Sequence, residues 1–516
     1  MRKNKLKKIF GFLIALTFLT TSCQKDNIVN IDPVMLDEAD DDIANTTFTQ
    51  TVNVEFSTDN DAVVSGTNED FTVSVNGNHV TLIYTGEEYV LYELSGSATE
   101  GCFKLYSPIK QAITLNSIHL TNPNGAAINI QGPVVNPSKG KRTFIVLYGE
   151  NTLSDGANYA EPSNNEDEKG TFFSEGQLIF SGSGSLKVNA LGKSGIVSDD
   201  YVAIYGGTID IAATSNAYYD SESAEYKSPA GIKTNDYFKI VAGSLNITHS
   251  GTGGKGISCD GNGFFMGGTT TVTTTGDNYG SMGGGGPLGN SSLASAKAIK
   301  FKGNLVISGG KIIASSTAHE GIEAKGTITV TGGEVYSYSQ IDDGINSGST
   351  FTIEDGYVYG QSEGNDGLDA NGNFYIKGGV VYAITKPSYE VAIDANTEGG
   401  FKLYLEGGTL ITLGNLEHGS SLTQNCYQTT SWSQNTWYAL STGSTTYAFK
   451  TPSNGGTPLV VSGSSTPTLT SGVTVSGGSS HFEGLLYQNA TVSGGAPVSL
   501  STYTGNNGGG PGPVPN

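Results

Sequence analysis

Seven carboxylates recur at related positions in the central part of the chain: Glu320, Glu323, Asp342, Asp343, Asp366, Asp369 and Asp394. They belong to short segments that place an apolar residue after a small one, as in Gly321-Ile322-Glu323, Gly344-Ile345-Asn346, Gly367-Leu368-Asp369 and Ala392-Ile393-Asp394. Side chains alternate in a strand, so an inward Ile or Leu sends the next residue outward. The outward column reads Val197, Lys233, Ser258, Lys300, Glu323, Asn346, Asp369, Asp394. The position before each small residue reads Ser194, Ala230, Lys255, Lys297, Glu320, Asp343, Asp366, Val391. Both columns turn acidic over the same stretch. Carboxylates stacked at strand spacing repel one another, and a cation between them removes that cost. Calcium takes six to eight oxygens at about 2.3–2.6 Å in irregular geometry. It is therefore the expected cofactor, with the seven carboxylates as candidate ligands. The competing account is turn chemistry, which suits Asp343-Gly344 and Asp366-Gly367. It suits Glu323, Asp369 and Asp394 less, because they fall in strand, where Asp is disfavoured.

The elements that must position these residues are short strands in a repeat. The small-apolar pairs begin at residues 195, 231, 256, 298, 321, 344, 367 and 392, with intervals of 36, 25, 42, 23, 23, 23 and 25. A second marker keeps step: Gly206-Gly207, Gly267-Gly268, Gly309-Gly310, Gly332-Gly333, Asp355-Gly356, Gly378-Gly379 and Gly407-Gly408. One unit, from Gly321 to Ser339, reads as three alternating strands separated by glycine turns, with no room for a helix. Such a unit buries its apolar face only by stacking on copies of itself. Leucine is too sparse for a leucine-rich repeat, and a propeller blade needs more residues. The expected fold is all-β: a right-handed parallel β-helix with three strands and about 23 residues per rung, handedness following the rule for parallel crossovers. β-rich caps are expected at both ends.

Composition agrees with a β-rich chain: 73 Gly, 4 Met and abundant β-branched residues. Lys and Arg number 27 against 48 Asp and Glu, a formal charge of −21 that disfavours nucleic acid as a partner. Residues 1–22 have a basic start and an apolar core, Ile9 to Leu19, too short for a usual membrane span. They run into Cys23 as Leu19-Thr20-Thr21-Ser22-Cys23, which resembles a bacterial lipobox. Acylation at Cys23 would anchor the protein to a lipid membrane, at the outer membrane or cell surface. Residues 23–48 are expected to form an acidic tether, 49–416 the repeat domain, 417–500 a β-rich cap and 501–516 a Gly/Pro-rich disordered tail. Cys102, Cys259 and Cys426 are an odd set, so no disulfide framework is expected.

Two units are long. One carries Ala217-Tyr-Tyr-Asp-Ser-Glu-Ser-Ala-Glu-Tyr226, the other the glycine-rich segment from Gly276 to Gly289. Both enter just before a leading small residue, so both should overhang the edge bearing the charged columns. Tyr218, Tyr219, Tyr226 and Tyr279 are candidates to stack on sugar rings, with Lys233 and Lys300 as partners for sugar acids. A tolerated surface insertion is the alternative.

Across about residues 75–415 the chain resembles calcium-dependent carbohydrate-binding proteins related in fold to the family-nine pectate lyases. The resemblance rests on Gly125-Ala-Ala-Ile-Asn-Ile130, on Phe144-Ile-Val-Leu-Tyr-Gly-Glu-Asn-Thr-Leu-Ser-Asp-Gly156, on the repeated Asp-Gly-Ile/Leu corners and on the glycine-rich insertion. It implies non-catalytic, calcium-dependent binding of plant cell-wall-type polysaccharide such as polygalacturonate or cellulose. An alternative is a polysaccharide lyase, in which a base removes the proton α to the uronate carboxylate; Lys300, beside the acidic stretch, is the candidate base. A structural or adhesive stalk is the third reading. No protein partner is indicated.

Overall fold

The computed structural model describes residues 39–132, 142–161, 166–280 and 294–505. The leader, Cys23 and the first part of the acidic tether lie outside the described residues, as do most of the glycine-rich insertion and the end of the tail. Among the described residues the helices are three-residue 3-10 turns, none of them long and apolar enough to cross a membrane. All the rest of the regular structure is strand. The local cause is visible in strands such as Ile328–Val330, Ile345–Ser347 and Phe374–Ile376, whose outer two residues are buried and whose middle one is half-buried. That period of two is the alternation of extended backbone.

A 12-stranded sheet holds the strands that follow the leading small residues. It opens on an antiparallel hairpin, Phe71–Asn76 with Asn78–Tyr84, and continues in parallel through Gly101–Tyr106, Ile128–Gln131 and Gly170–Ser174 to Leu368–Ala370. Along it Ile257, Ile299, Ile322, Ile345 and Leu368 pair in succession. The remaining strands of the repeat belong to one 26-stranded sheet. Asn262–Thr274 and Leu305–Ser316 run unbroken past the Gly-Gly marker and join what were expected to be two separate faces.

The expectation of a right-handed parallel β-helix, with three strands and about 23 residues per rung, does not stand. The chain is all-β, but the repeat is distributed over two large sheets rather than three faces. In the 12-stranded sheet its register steps range from 23 residues, Ile299 to Ile322, to 44, Ile128 to Phe172. The 26-stranded sheet also ends in antiparallel pairing, Leu410–Leu413 against Leu459–Ser462. The physical reason lies in the glycine pairs. The sequence reads them all as corners that end a strand; Gly332-Gly333 does separate Ile328–Val330 from Glu334–Ser339, but Gly268 and Gly310, at φ +70° and +78°, lie inside continuous strands whose pairing shifts register there and resumes at Thr269 with Lys311. A Cβ at Gly333, φ +80°, would meet the Gly309 carbonyl carbon at 2.8 Å, so the left-handed conformation and the close approach both require glycine.

The interior is one continuous apolar cluster running from Val52 to Tyr503, with ladders of like residues such as Phe351 and Phe374, whose rings lie 4.5 Å apart. A second cluster forms where a six-stranded antiparallel sheet, built from strands between Trp437 and Val498, covers Tyr359, Tyr382 and Ile411. Residues 39–45 carry two 3-10 turns, and Asp41 is buried there against Arg142, Nε to Oδ1 2.9 Å, and the Tyr201 hydroxyl. Ser501–Tyr503 forms a strand paired with Cys426–Thr429. Cys102, Cys259 and Cys426 are free thiols.

Candidate functional site

The middle residues of the 12-stranded sheet form one outward column. Lys104, Asn129, Phe173, Val197, Lys233, Ser258, Lys300, Glu323, Asn346 and Asp369 are aligned by parallel register. Isolated bridges Leu368–Ile393 and Ile393–Leu416 extend the line to Asp394 and Glu417. The column passes from amines to carboxylates, and the two ends are handled differently.

At the junction the charges neutralise one another. Lys297 Nζ lies 2.9 Å from Glu320 and 2.6 Å from Glu323, with Lys300 at 3.8 Å and Lys325 also touching Glu323. Glu323 is fully buried. Burial pushes its carboxyl up, but Lys297 and Lys300 outweigh that and hold it down at about 2. His319 Nδ1 is 2.8 Å from Asp342 and also touches Glu320. Burial opposes its protonation, yet the two carboxylates raise it, and Asp342 is lowered in return despite its own burial. Of the seven expected metal ligands, Glu320, Glu323 and Asp342 therefore already have cationic or imidazole partners.

Beyond the junction the carboxylates stand without such partners. Asp343 and Asp366 are 3% and 7% exposed. Asp343 accepts from Asn346 Nδ2 at 2.9 Å and from the Asp366 amide at 3.2 Å; Asp366 accepts from the Val391 amide at 2.8 Å. Among the described residues none of Asp343, Asp366, Asp369, Asp394 and Glu417 forms a salt bridge. Burial, then Asp342, raises Asp343 well above the carboxylate range; burial, then Asp343 and Asp394, does the same to Asp366. Asp369 is pushed up to about 7 by burial and Asp343, Asp394 to about 7 by burial and Asp369, and Glu417 to about 8 by burial and Asp394.

Asp366, Asp369 and Asp394 each offer an oxygen within 4.8 Å of the others. Two oxygens on opposite sides of one calcium ion are at most about 5.2 Å apart, so this group fits the ion in both donor type and span. His319, Glu320 and Asp342 also fall within that span, but Lys297 beside Glu320 makes them a poor cation site. Glu417 was missed in the sequence. Its signal is present, since Leu416-Glu417 repeats Ile393-Asp394 after 23 residues, but the leading small residue is replaced by Asn415.

The amine end carries the insertions. Tyr218–Asp220 and Glu225–Lys227 form an antiparallel hairpin. Tyr219 packs edge-on to Tyr226 at 5.1 Å, and Tyr226 edge-on to Tyr279 at 5.7 Å. Tyr218 is 59% exposed and Tyr219 50% exposed, while Tyr218 makes no ring contact among the described residues. Tyr279 bridges to Ala294 and sits over Gly253, two residues before Lys255. Lys255 is buried and pushed down to about 7 by burial and by Lys300, Lys297 and Lys233. Burial also lowers Lys233, and burial with Lys297 lowers Lys300. The tyrosines and the metal-type carboxylates thus share one edge without sharing one site. Lys233 and Asp369 are five strand steps apart, about 24 Å at the usual strand spacing.

A two-sheeted all-β scaffold with a charged edge and an aromatic hairpin is the class of protein these features define. Residues 76–359 match a family model described as a carbohydrate-binding domain-containing protein, and the chain belongs to that family. No curated protein matches the chain. Among solved structures, a polysaccharide lyase-like protein from C. thermocellum, in a gadolinium derivative, is similar at 16% identity, over 71% of this chain and 96% of that one, with a TM-score of 0.31. The family match takes in the tyrosine hairpin, the lysines and the junction; Asp366, Asp369, Asp394 and Glu417 lie beyond it.

Proposed function

We propose that the protein binds an acidic cell-wall-type polysaccharide through calcium held at Asp366, Asp369 and Asp394, with Asp343 and Glu417 beside them. The carrying observation is the set of three convergent carboxylates within 4.8 Å of one another, none of which has a salt-bridge partner among the described residues. Bound calcium would supply positive charge to the carboxylates of the sugar chain. The protein's part is to hold its own oxygens in register on a rigid sheet. The Val391 amide orients Asp366, and the Asp366 amide orients Asp343. Lys233 and Lys300 at the other end pair with further sugar acids, and Tyr219 offers a ring face to a pyranose. Acylation of Cys23 would hold this surface at the outer membrane or cell surface. Pull-down on polygalacturonate, with calcium and then with chelator, tests the reading. Binding that ignores the chelator removes calcium from it, and no binding in either condition removes the acidic substrate.

One observation favours the lyase as a second reading: a buried lysine brought to about 7, near neutral pH. That lysine is Lys255 rather than Lys300, which keeps a 3.8 Å contact with Glu323. Unsaturated uronide absorbance that is lost in Lys255→Met and kept in Lys300→Met would establish it; no absorbance across pH and calcium levels would remove it.

A further inference from the structure

The six-stranded sheet at the C-terminal end has an outer face unlike the charged edge. Its strands Trp437–Thr442 and Thr445–Lys450 are antiparallel neighbours, and Leu486–Gln488 pairs with the second. Tyr438, Leu440, Tyr447, Phe449 and Leu486 point into the second apolar cluster. Alternation then sends Trp437 and Tyr487 to the opposite face. Their rings lie 5.6 Å apart at 57°, so neither covers the other. The strand Thr468–Ser476 follows Trp437–Thr442 only as far as Ser471, opposite Tyr438; past Gly472, at φ +73°, it pairs with Thr491–Val498 alone. Where it leaves, a cleft of about 420 Å³ opens, lined by Trp437, Tyr487 and the segment Val473–Gly477. The volume falls in the range of about 300–1,000 Å³ usual for small-ligand sites.

We propose that this cleft is a second carbohydrate site, specific for a neutral polysaccharide chain and independent of calcium. An indole and a phenol set at an angle present two apolar faces to the C–H faces of sugar rings. Thr474 and Ser476, both exposed, supply hydroxyls at the rim, where they can donate to or accept from ring hydroxyls. No described residue lining the cleft carries a charge, which separates it from the edge formed by Lys233 to Glu417. The cleft also lies outside residues 76–359. It shares with the function proposed above only the class of ligand; the polygalacturonate assay and the assays below fail separately.

The chain has two tryptophans, and Trp432 donates its indole N–H to the Gly456 carbonyl at 3.1 Å, away from the cleft lining. In Trp432→Phe, Trp437 is the remaining indole. Its fluorescence should shift saturably with cellohexaose, xylohexaose or mannohexaose in the presence of chelator, and should not respond to tri-galacturonate. Trp437→Ala with Tyr487→Ala should weaken binding to the responding hexasaccharide by about tenfold or more while leaving polygalacturonate pull-down unchanged. No fluorescence response to any of the three neutral hexasaccharides overturns the proposal. So does undiminished binding by the double variant with an unaltered unfolding midpoint. A response abolished by chelator would assign the sugar to the calcium edge instead.

Discussion

The two ends of one outward column teach opposite lessons about buried charge. From Lys297 to Asp342 every carboxylate meets an amine or imidazole of a neighbouring strand, and Glu323 is held down at about 2 although it is fully buried. From Asp343 to Glu417 the same sheet spacing brings carboxylates onto carboxylates, and Asp369, Asp394 and Glu417 are pushed up to about 7, 7 and 8. Parallel register carries both stretches, through strand ladders as far as Asp369 and through isolated bridges to Asp394 and Glu417. What separates them electrostatically is the sign of the residue one step away. The first arrangement is self-sufficient and contributes structure; the second is repulsive unless something positive is added, which is the property expected of a binding site.

The largest effect expected from breaking this contrast is at Lys297. Lys297→Ala leaves Glu320 and Glu323 buried beside one another, and removal of one partner of a buried pair costs about 3–5 kcal/mol. Urea unfolding in chelator should show that loss, and Lys297→Met with Glu323→Gln should recover much of it. A loss under about 1 kcal/mol would mean that Lys300 and Lys325 at Glu323, with His319 at Glu320, neutralise the junction without Lys297.

Asp366→Asn should act with the opposite sign. In chelator it removes repulsion while the acceptor for the Val391 amide remains, and stability should rise by roughly 1–2 kcal/mol. In calcium the parent's Tm should rise and that of the variant should not. If the variant is destabilised in chelator, Asp366 is already neutralised by proton sharing and the contrast between the two ends is smaller than its geometry implies.

The column itself was legible in the sequence because Lys300, Glu323, Asn346 and Asp369 keep both the 23-residue interval and the alternation that turns them outward. The partnership of Lys297 with Glu323 was not, since it depends on how a long flexible side chain bends between strands and not on spacing. Glu417 keeps its interval but lacks the leading small residue, so its period marks it where its motif does not. Lys255 stood in the column before the leading glycines, but its near-neutral value comes from burial at the start of a strand overhung by Tyr279, a tertiary effect. The two-sheet connectivity was hidden for a local reason. A Gly-Gly pair signals a turn and a left-handed strand irregularity equally well, and only pairing on both sides, as at Thr269 with Lys311, tells them apart.

Titration should sharpen the comparison by a smaller amount. Asp369, Asp394 and Glu417 have folded values above their unfolded values near 4, so the folded state binds more protons between these limits. Their contribution is full below about pH 4 and is lost as pH rises through about 7 to 8. Glu323 runs the other way: its contribution is present above about pH 4.5 and is lost toward pH 2. In chelator, the unfolding midpoint should therefore fall between pH 5 and 8, and Asp369→Asn with Asp394→Asn should flatten that fall. Calcium should flatten it too, because an ion competes with the protons. A profile equally steep with and without calcium would separate the raised carboxylates from the cation.

The smallest effect is expected at the aromatic hairpin. Tyr219 is half exposed and leans on Tyr226, so Tyr219→Ala removes one stacking face without opening the core and should leave Tm within about 1–2 °C of the parent. Polygalacturonate affinity should fall by roughly three- to tenfold, the range of one aromatic contact. Because Lys233 and Asp369 are about 24 Å apart along the sheet, the calcium midpoint should not move. A shift in that midpoint would mean that one sugar chain couples the two ends and that they act as a single site. An unchanged affinity would leave the hairpin as a surface insertion and place recognition wholly on the charged column.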